Sequence, residues 1–524
     1  MRRRTTVLAA AVILLGSIAT LFLSRASIGA LLRKRIEAYL ADRLQSRVEI
    51  SEFRFVFRPR PTVTVNGLTL YHHGRTDTPP LLRIASVSMS PYLITLLSPK
   101  LRFSRVRLEG LELTFPPREQ PARTAKKRKL DLTSKFPILI DELSADDASV
   151  TLLRAQIGKQ PLVFPIHRLE LKNLSFDGPS EFDARLTNAV PRGEIHAKGT
   201  FGPWNGQDPR TTAVKASYEF LNADLSTING LRGMLSSTGT FGGPLDYLEV
   251  NGTTITPDFT LRRVDNPVEL RTTFSATVDG TNGNTYLRAV EARFLSTTLY
   301  TNGEIVDLVS GVSSRTIILE ARSDSARAED LIRLAAKTKT PVLKGPVQLQ
   351  ARIHIPERNE DLSDRLDVTS RFLLSSGEFS NPDLQHKVDT LSRKGQGEPK
   401  DTTIAHVPSR LEASIHTKRG VVAFPRIRYS VPGAKLTLHG TYTLGSGDLE
   451  FHGQLLLDAS LSETTTGIKS LLLKPVDPFV RSKEGGTRLP VKISGTKDHP
   501  SFGLDRGGHN DKTSPQDSGA NGVN

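Results

Sequence analysis

From Val48 onward, hydrophobic and polar residues alternate along the chain with a period of two. In residues 435–443, leucine, glycine and tyrosine at even positions alternate with lysine, threonine and histidine at odd positions, and 449–457 shows a similar pattern. Such alternation is typical of strands with one apolar and one polar face. Clusters of Gly, Asn, Asp and Ser, such as 279–284 and 445–448, separate the strands, and these short connections predict antiparallel pairing.

Helical periodicity interrupts the strand pattern in two short segments. Residues 325–337 carry apolar side chains at helical spacing, with acidic residues early and a lysine late, and 383–393 has a similar spacing. A Gly-Thr step followed by an aromatic residue recurs at Gly199, Gly239 and Gly440. The first two copies lie 40 residues apart (239 − 199), but the later spacing is irregular. The repeat is therefore compatible with an elongated sheet that adds similar hairpins, and it does not support a strict solenoid.

The amino terminus has a different pattern. Met1–Arg4 contains three arginines, and Thr5–Leu23 is an uncharged, apolar stretch of 19 residues. As a helix this stretch would span about 28 Å, which is close to the thickness of the bilayer hydrocarbon core. The run ends in Leu23-Ser24-Arg25-Ala26, which is a poor cleavage site, and it is long for the apolar region of a signal peptide. The pattern therefore favours a retained transmembrane anchor over a cleaved signal peptide. The flanking charges are nearly balanced; because residues 1–4 are too few to form a domain, we expect them to be a cytoplasmic stub.

The other boundaries follow from changes in composition. Residues 24–47 have an amphipathic pattern, and we expect a juxtamembrane helix that lies on the bilayer surface or packs against the first strands. An amino-terminal β region follows at 48–115, and 116–136 is a basic, proline-containing loop. The main β body covers 137–504, and 505–524 has the composition of a disordered tail.

The chain has 524 residues, no cysteine and a formal net charge of +15. The absence of cysteine excludes disulfides and thiolate metal sites. The positive charge favours anionic partners such as lipid headgroups, nucleic acid or acidic polysaccharide. The basic run at 126–129 has no interleaved aromatic residues, and no nucleic-acid-binding motif surrounds it. We therefore expect no nucleic acid partner.

Known catalytic motifs are missing from the sequence. There is no nucleophile elbow, P-loop, HExxH zinc motif or glycine-rich dinucleotide motif. The twelve histidines are scattered, and a metal site needs further donors at set spacing beside the one adjacent pair, His72-His73. We therefore predict that the protein is not an enzyme, with no catalytic, cofactor-binding or metal-binding residues and no cofactor.

Three parts of the chain, in their order, carry a family resemblance. The first is the Arg-rich amino end, the apolar span and the amphipathic stretch, followed by 48–50 and 61–70. The second is 379–397, and the third is the ending at 489–504. Together they resemble the AsmA-like proteins of the bacterial envelope. The resemblance covers most of the chain, and the AsmA-like carboxy-terminal region would be at about 290–504.

The resemblance implies a single-pass anchor in the bacterial inner membrane, with the bulk of the chain in the periplasm. It implies a mainly β fold in which an elongated, curled antiparallel sheet with a few short helices forms an open apolar groove, as in the bridge-like lipid-transfer proteins. The implied function is lipid binding and transfer that supports phospholipid transport to the outer membrane or outer-membrane assembly. The implied partners are the phospholipid membrane and lipid acyl chains, with other envelope proteins or further copies of the chain. The candidate groove residues, which the alternation places on one side of their strands, are Leu411, Ile415, Leu436, Leu438, Tyr442, Leu449, Phe451 and Leu455.

Two alternatives to an open lipid groove stay open at this point. The protein could be an envelope scaffold that regulates outer-membrane protein targeting or assembly through a sheet edge. An ordinary β-sandwich would bury its own apolar face against a second layer, and alternation alone does not separate a sandwich from a groove.

Overall fold

A computed structural model describes residues 47–505, with internal gaps of which 116–137 and 461–485 are the longest. It also describes eight helical residues between positions 30 and 40. Strands account for 68% and helices for 11% of the described residues, which confirms the mainly β fold.

Several predictions fall outside the described residues. They are the anchor at 5–23 with its stub at 1–4, the basic loop at 116–136, the histidine pair at 72–73 and, except for Asp505, the tail at 505–524. Where the chain is described, no helix is long and apolar enough to cross a membrane.

The chain divides into two compact units. The first comprises Met1–Ala326, Asp330–Lys339 and Arg352–Leu366; the second comprises Arg327–Glu329, Thr340–Ala351 and Asp367–Asn524. The strands up to residue 327 are β1 (Arg47–Val56), β2 (Thr62–Tyr71), β3 (Leu82–Pro91), β4 (Leu101–Phe115), β5 (Ile138–Leu152), β6 (Leu162–Ser175), β7 (Ser180–Asn188), β8 (Arg192–Phe201), β9 (Ala213–Asp224), β10 (Leu231–Arg232), β11 (Met234–Pro244), β12 (Leu248–Leu261), β13 (Val268–Val278), β14 (Thr285–Phe294), β15 (Thr297–Val309) and β16 (Val312–Arg327).

The later strands are β17 (Leu343–Lys344), β18 (Pro346–Ile355), β19 (Asp367–Phe379), β20 (Ser409–Lys418), β21 (Val421–Val431), β22 (Ala434–Thr443), β23 (Asp448–Leu457), β24 (Thr487–Thr496) and β25 (Pro500–Leu504). The α-helices with assigned bounds are α1 (Ala328–Ala335), α2 (Leu362–Arg365) and α3 (Pro382–Gly395). Helix α1 lies within the predicted segment 325–337, and α3 is slightly longer than the predicted 383–393.

Neighbouring strands pair antiparallel in each unit, as the short connections predict, with one exception among the described pairs. Strands β4 and β5 pair in parallel, from Leu101 opposite Ile138 to Phe115 opposite Leu152. The expectation of antiparallel pairing throughout is therefore wrong at this point. A parallel pair needs a connection of a dozen or more residues, and the chain between β4 and β5 is long enough for that.

The amphipathic segment near the amino terminus packs against the first strands, which was one of its two expected placements. Within 30–40, the side chains of Leu32 and Ile36 are 1% and 5% exposed. They belong to a buried cluster that includes residues from β1 to β6, among them Val65 and Phe103. Burial of apolar side chains drives this contact, so the helix covers an apolar surface of the sheet.

Helix α3 lies at one end of the strands of the second unit. Asn381 is its N-cap and accepts hydrogen bonds from two backbone N–H groups of the first turn, and Pro382 takes the first helical position. The inner side of the helix carries Val388 and Leu391. These pack against a small core made by Val407, Val431, Ala434 and Leu457.

The same helix carries a buried carboxylate. Asp389 is 6% exposed and accepts hydrogen bonds from the backbone N–H groups of Val407 (3.0 Å) and His406 (3.2 Å) and from the Gln385 amide (3.0 Å). Burial alone would raise the pKa of Asp389, but these hydrogen bonds outweigh burial and hold the pKa below its usual value. The carboxylate therefore ties α3 to the segment that leads into β20.

A contact between two glycines brings the end of α3 close to the β21–β22 turn. A Cβ atom on Gly395 would lie 2.3 Å from the carbonyl oxygen of Gly433, and Gly433 has a φ of 79°. The Ala459 N–H also donates to the Gly395 carbonyl at 2.9 Å. Only glycine fits such an approach without strain, so the helix is held tightly against the ends of the strands.

We expect Asp389→Ala to loosen the segment that α3 holds. The substitution leaves the buried N–H of Val407 and the part-buried N–H of His406 without an acceptor, at a cost of about 2–3 kcal/mol. Hydrogen exchange of residues 403–409 should then be about 30- to 150-fold faster. Asp389→Asn keeps one acceptor oxygen and should cost less, and Asp383→Asn, on the exposed side of α3, should change little.

Exchange in this segment should also depend on pH. The pKa of Asp389 is lower in the folded than in the unfolded protein, so its stabilising contribution is present above the unfolded pKa of about 4 and is lost as the pH falls through the folded value. Equal protection of 403–409 in the wild type and Asp389→Ala at neutral pH would contradict this role.

Candidate functional site

Strands β19 to β25 place the apolar residues of the second unit on one side of the sheet. Leu411 on β20 lies opposite Tyr429 on β21. Tyr429 lies opposite Leu436 on β22, and Leu436 lies opposite Leu455 on β23. We call this side the carboxy-terminal apolar face; its described residues are Phe372, Leu374, Leu411, Ala413, Ile415, Val422, Phe424, Ile427, Tyr429, Leu436, Leu438, Tyr442, Leu449, Phe451, Leu455, Leu489, Val491 and Ile493. The set includes all eight candidate residues from the sequence.

Most large side chains of this face are only half-buried. Leu374 and Leu438 are 1% and 7% exposed, but Ile415, Tyr442 and Phe451 keep an intermediate share of their surface accessible. A second sheet layer in a sandwich would bury such side chains. Removing the rest of this apolar surface from water would gain about 25 cal/mol per Å², so the face favours an apolar ligand.

One end of the carboxy-terminal apolar face is covered by the protein itself. Tyr429 and Leu455 pack against the small core under α3. The Tyr429 hydroxyl lies 2.7 Å from the Ser409 hydroxyl, and burial raises the pKa of this tyrosine. The buried hydroxyl thus has a partner, as a polar atom in an apolar setting requires.

The opposite side of the same strands is polar and charged. Arg428 and Glu412 form an ion pair at 3.2 Å across β20 and β21, and Lys492 and Glu450 form another at 3.2 Å across β23 and β24. The hydrogen bond from Lys492 lowers the pKa of the exposed Glu450 carboxyl, with a further contribution from His452. Exposed ion pairs of this kind add little stability, so their main effect is to keep this side of the sheet polar and solvated.

The recurring Gly-Thr step has a physical explanation in both units. A Cβ atom on Gly440 would lie 2.7 Å from Cδ1 of Phe451 on the neighbouring strand, and one on Gly239 would lie 2.9 Å from Cε1 of Tyr218. In each case the aromatic ring lies over the glycine, and the ring replaces the missing side chain. Two of the three copies therefore mark glycine–aromatic pairs on the apolar side of the sheet, whereas a Cβ atom on the third, Gly199, would meet Ala216 at 2.6 Å.

The length of the face suits an extended hydrocarbon chain. Seven strands at a spacing of about 4.8 Å give six intervals, or about 29 Å across the strands. Half of a bilayer core of about 30 Å is about 15 Å, which is the depth of one acyl layer. The face is thus longer than a single acyl chain.

Several residues of the face were missed by the sequence analysis. Phe424 and Ile427 lie on β21, where the register shifts between these two residues. Their spacing of three breaks the period of two, so alternation does not place both on one side. The segment Phe424-Pro425-Arg426-Ile427 holds one usable signal, because proline inside a strand often marks a bulge.

The described residues contain no group of three or more His, Asp or Glu side chains that could hold a metal ion. Comparison with protein-family models and with curated proteins gives no match. The candidate site therefore rests on the geometry of the sheet, and the AsmA-like resemblance stays a prediction.

We expect Gly440→Ala to destabilise the β22–β23 hairpin by about 2 kcal/mol, because the new methyl group overlaps the Glu450 carbonyl oxygen and the Phe451 ring. The matched control is Gly445→Ala in the turn, where a Cβ atom has no neighbour within 4 Å. Hydrogen exchange across 434–457 measures both effects. Equal effects of the two substitutions would show that the aromatic cover does not constrain position 440.

Proposed function

We propose that the protein binds lipid acyl chains on its carboxy-terminal apolar face and passes them along the sheet. It would act as a non-enzymatic, membrane-anchored periplasmic protein that supports phospholipid transport to the outer membrane or outer-membrane assembly. The observation that carries the proposal is that this face, from β19 to β24, has large apolar side chains that are only half-buried.

The energetics support an acyl ligand. Each methylene group that leaves water gains about 0.8 kcal/mol, so a chain lying against Ile415, Tyr442 and Phe451 gains over its whole length. The hydrophobic contact is non-directional, so an acyl chain can move from one strand to the next without breaking specific bonds. Movement along the face is possible when the binding free energy is similar at successive strands.

The proposed location rests on the sequence. The apolar stretch at 5–23 has the length of a membrane span, and the ordered resemblance to AsmA-like proteins favours the inner membrane and the periplasm. The net charge of +15 is compatible with work close to anionic headgroups.

The test is lipid content in variants with a carboxylate on the face. Ile415→Glu and Leu449→Glu should lower the lipid that co-purifies with the full-length chain at least about tenfold, since an unpaired carboxylate against hydrocarbon costs several kcal/mol. Mass spectrometry of extracted lipid gives the measurement. The matched controls are His416→Glu and Gln454→Glu, on the opposite side of the same two strands.

Similar lipid loss in variants and controls, or no lipid in the wild type, would overturn the proposal. Photocrosslinking in cells adds a second criterion. A benzoylphenylalanine at position 451 should give lipid adducts. If it gives only protein adducts, the scaffold function is favoured instead.

A further inference from the structure

The first unit has an apolar face of its own, and the strand register makes it continuous. One row runs from Phe53 on β1 through Val65 on β2 and Leu108 on β4. It continues through Tyr218 on β9 to Phe274 on β13. We call the side of the sheet that carries this row the amino-terminal apolar face.

Burial differs sharply between the two parts of this face. In β2 and β4, Val65 and Phe103 are each 1% exposed. Further along, Tyr218, Phe241 and Phe274 are only half-buried. Both parts carry large apolar side chains, and in the first part the amino-terminal helix packs against them.

The chain's own amino-terminal helix covers the first part. Leu32 and Ile36 are buried in the cluster made by β1 to β6, and Leu40 packs against it. On the outer side, Arg33 pairs with Glu37 at 2.8 Å and donates to the Ile50 carbonyl on β1 at 3.3 Å. The helix is thus joined to the sheet by apolar packing and by a hydrogen bond to the edge of the cluster.

We propose that acyl chains also bind the amino-terminal apolar face, and that this helix is a plug that closes the β1–β6 end of that face. The inference rests on the proposed function. An acyl chain that entered between β1 and β6 would have to displace Leu32 and Ile36, which would then meet water, so the exchange brings no net gain of buried apolar area. On β9 to β13 an acyl chain would cover apolar side chains such as Tyr218 and Phe274, which are only half-buried, and so would bury additional apolar area. The lipid-accessible part of the first unit therefore begins beyond β6, and release of the helix extends it.

The first measurement tests, without lipid, whether the helix protects the cluster from solvent. The chain has no cysteine, so Val87→Cys places a single thiol in the buried cluster that contains Leu32 and Ile36, at a side chain that is 6% exposed in the wild type. Ile36→Glu should raise the rate at which a maleimide labels this thiol in the full-length chain by about tenfold or more. Ala38→Glu, on the exposed side of the same helix, should change the rate less than about twofold.

A milder variant guards against general unfolding. Arg33→Ala removes the contacts to Glu37 and Ile50 but keeps both buried side chains, and it should raise the labelling rate by about threefold. Circular dichroism should show unchanged β content in each variant. Fast labelling in the wild-type background, or no increase with Ile36→Glu, would overturn the plug.

The second measurement uses lipid. Benzoylphenylalanine at Phe274 should form lipid adducts in the wild-type background, whereas at Phe103 it should form them only together with Ile36→Glu. Adducts at position 103 with the helix intact would overturn the plug. No adducts at 274 or at 451 in any background would overturn the proposed function, while the labelling rate still decides whether the helix covers the strands.

Discussion

The structure depends on the parity of residue positions in its strands. In an extended chain, side chains alternate between the two sides of the sheet, so a slip of one residue would move every apolar side chain to the polar side. The pairing of β22 with β23 keeps parity without interruption, from Ala434 opposite Leu457 to Tyr442 opposite Leu449. In β21, Phe424 and Ile427 are three residues apart, so regular alternation would place them on opposite sides of the sheet. The register shift between them places both on the apolar face, opposite Gly440 and Leu438.

Apolar surface is covered by helices in some parts of this molecule and left half-buried in others. Under Leu32 and Ile36, and again under α3, the protein covers this surface with its own helices, and the side chains below are buried. On the rest of the carboxy-terminal apolar face, side chains such as Phe451 stay half-buried. Because folding already removes part of their surface from water, the sheet tolerates this exposure, and a ligand can gain the remainder.

The sequence predicts these parts unequally. Unbroken alternation and glycine-rich turns are local signals, so the strands that carry Leu438 and Leu455 could be placed from the sequence alone. The helical spacing of Leu384, Val388 and Leu391 similarly located α3. Three features depend on distant contacts: the parallel β4–β5 pair, the glycine contact of Gly395 and the cover over Val65. No local period encodes which surface meets which, so these required the folded chain.

Because most strands pair with their neighbours in sequence, an insertion or deletion disturbs the register of few strands. Each strand exchanges hydrogen bonds mainly with the strands before and after it, and a short turn such as 445–447 lets the next strand take its own register. A deletion inside one strand is therefore corrected at the following turn. Gain or loss of a whole hairpin leaves both sides of the sheet chemically unchanged. Insertions and deletions can thus change the number of strands in such a sheet by two at a time.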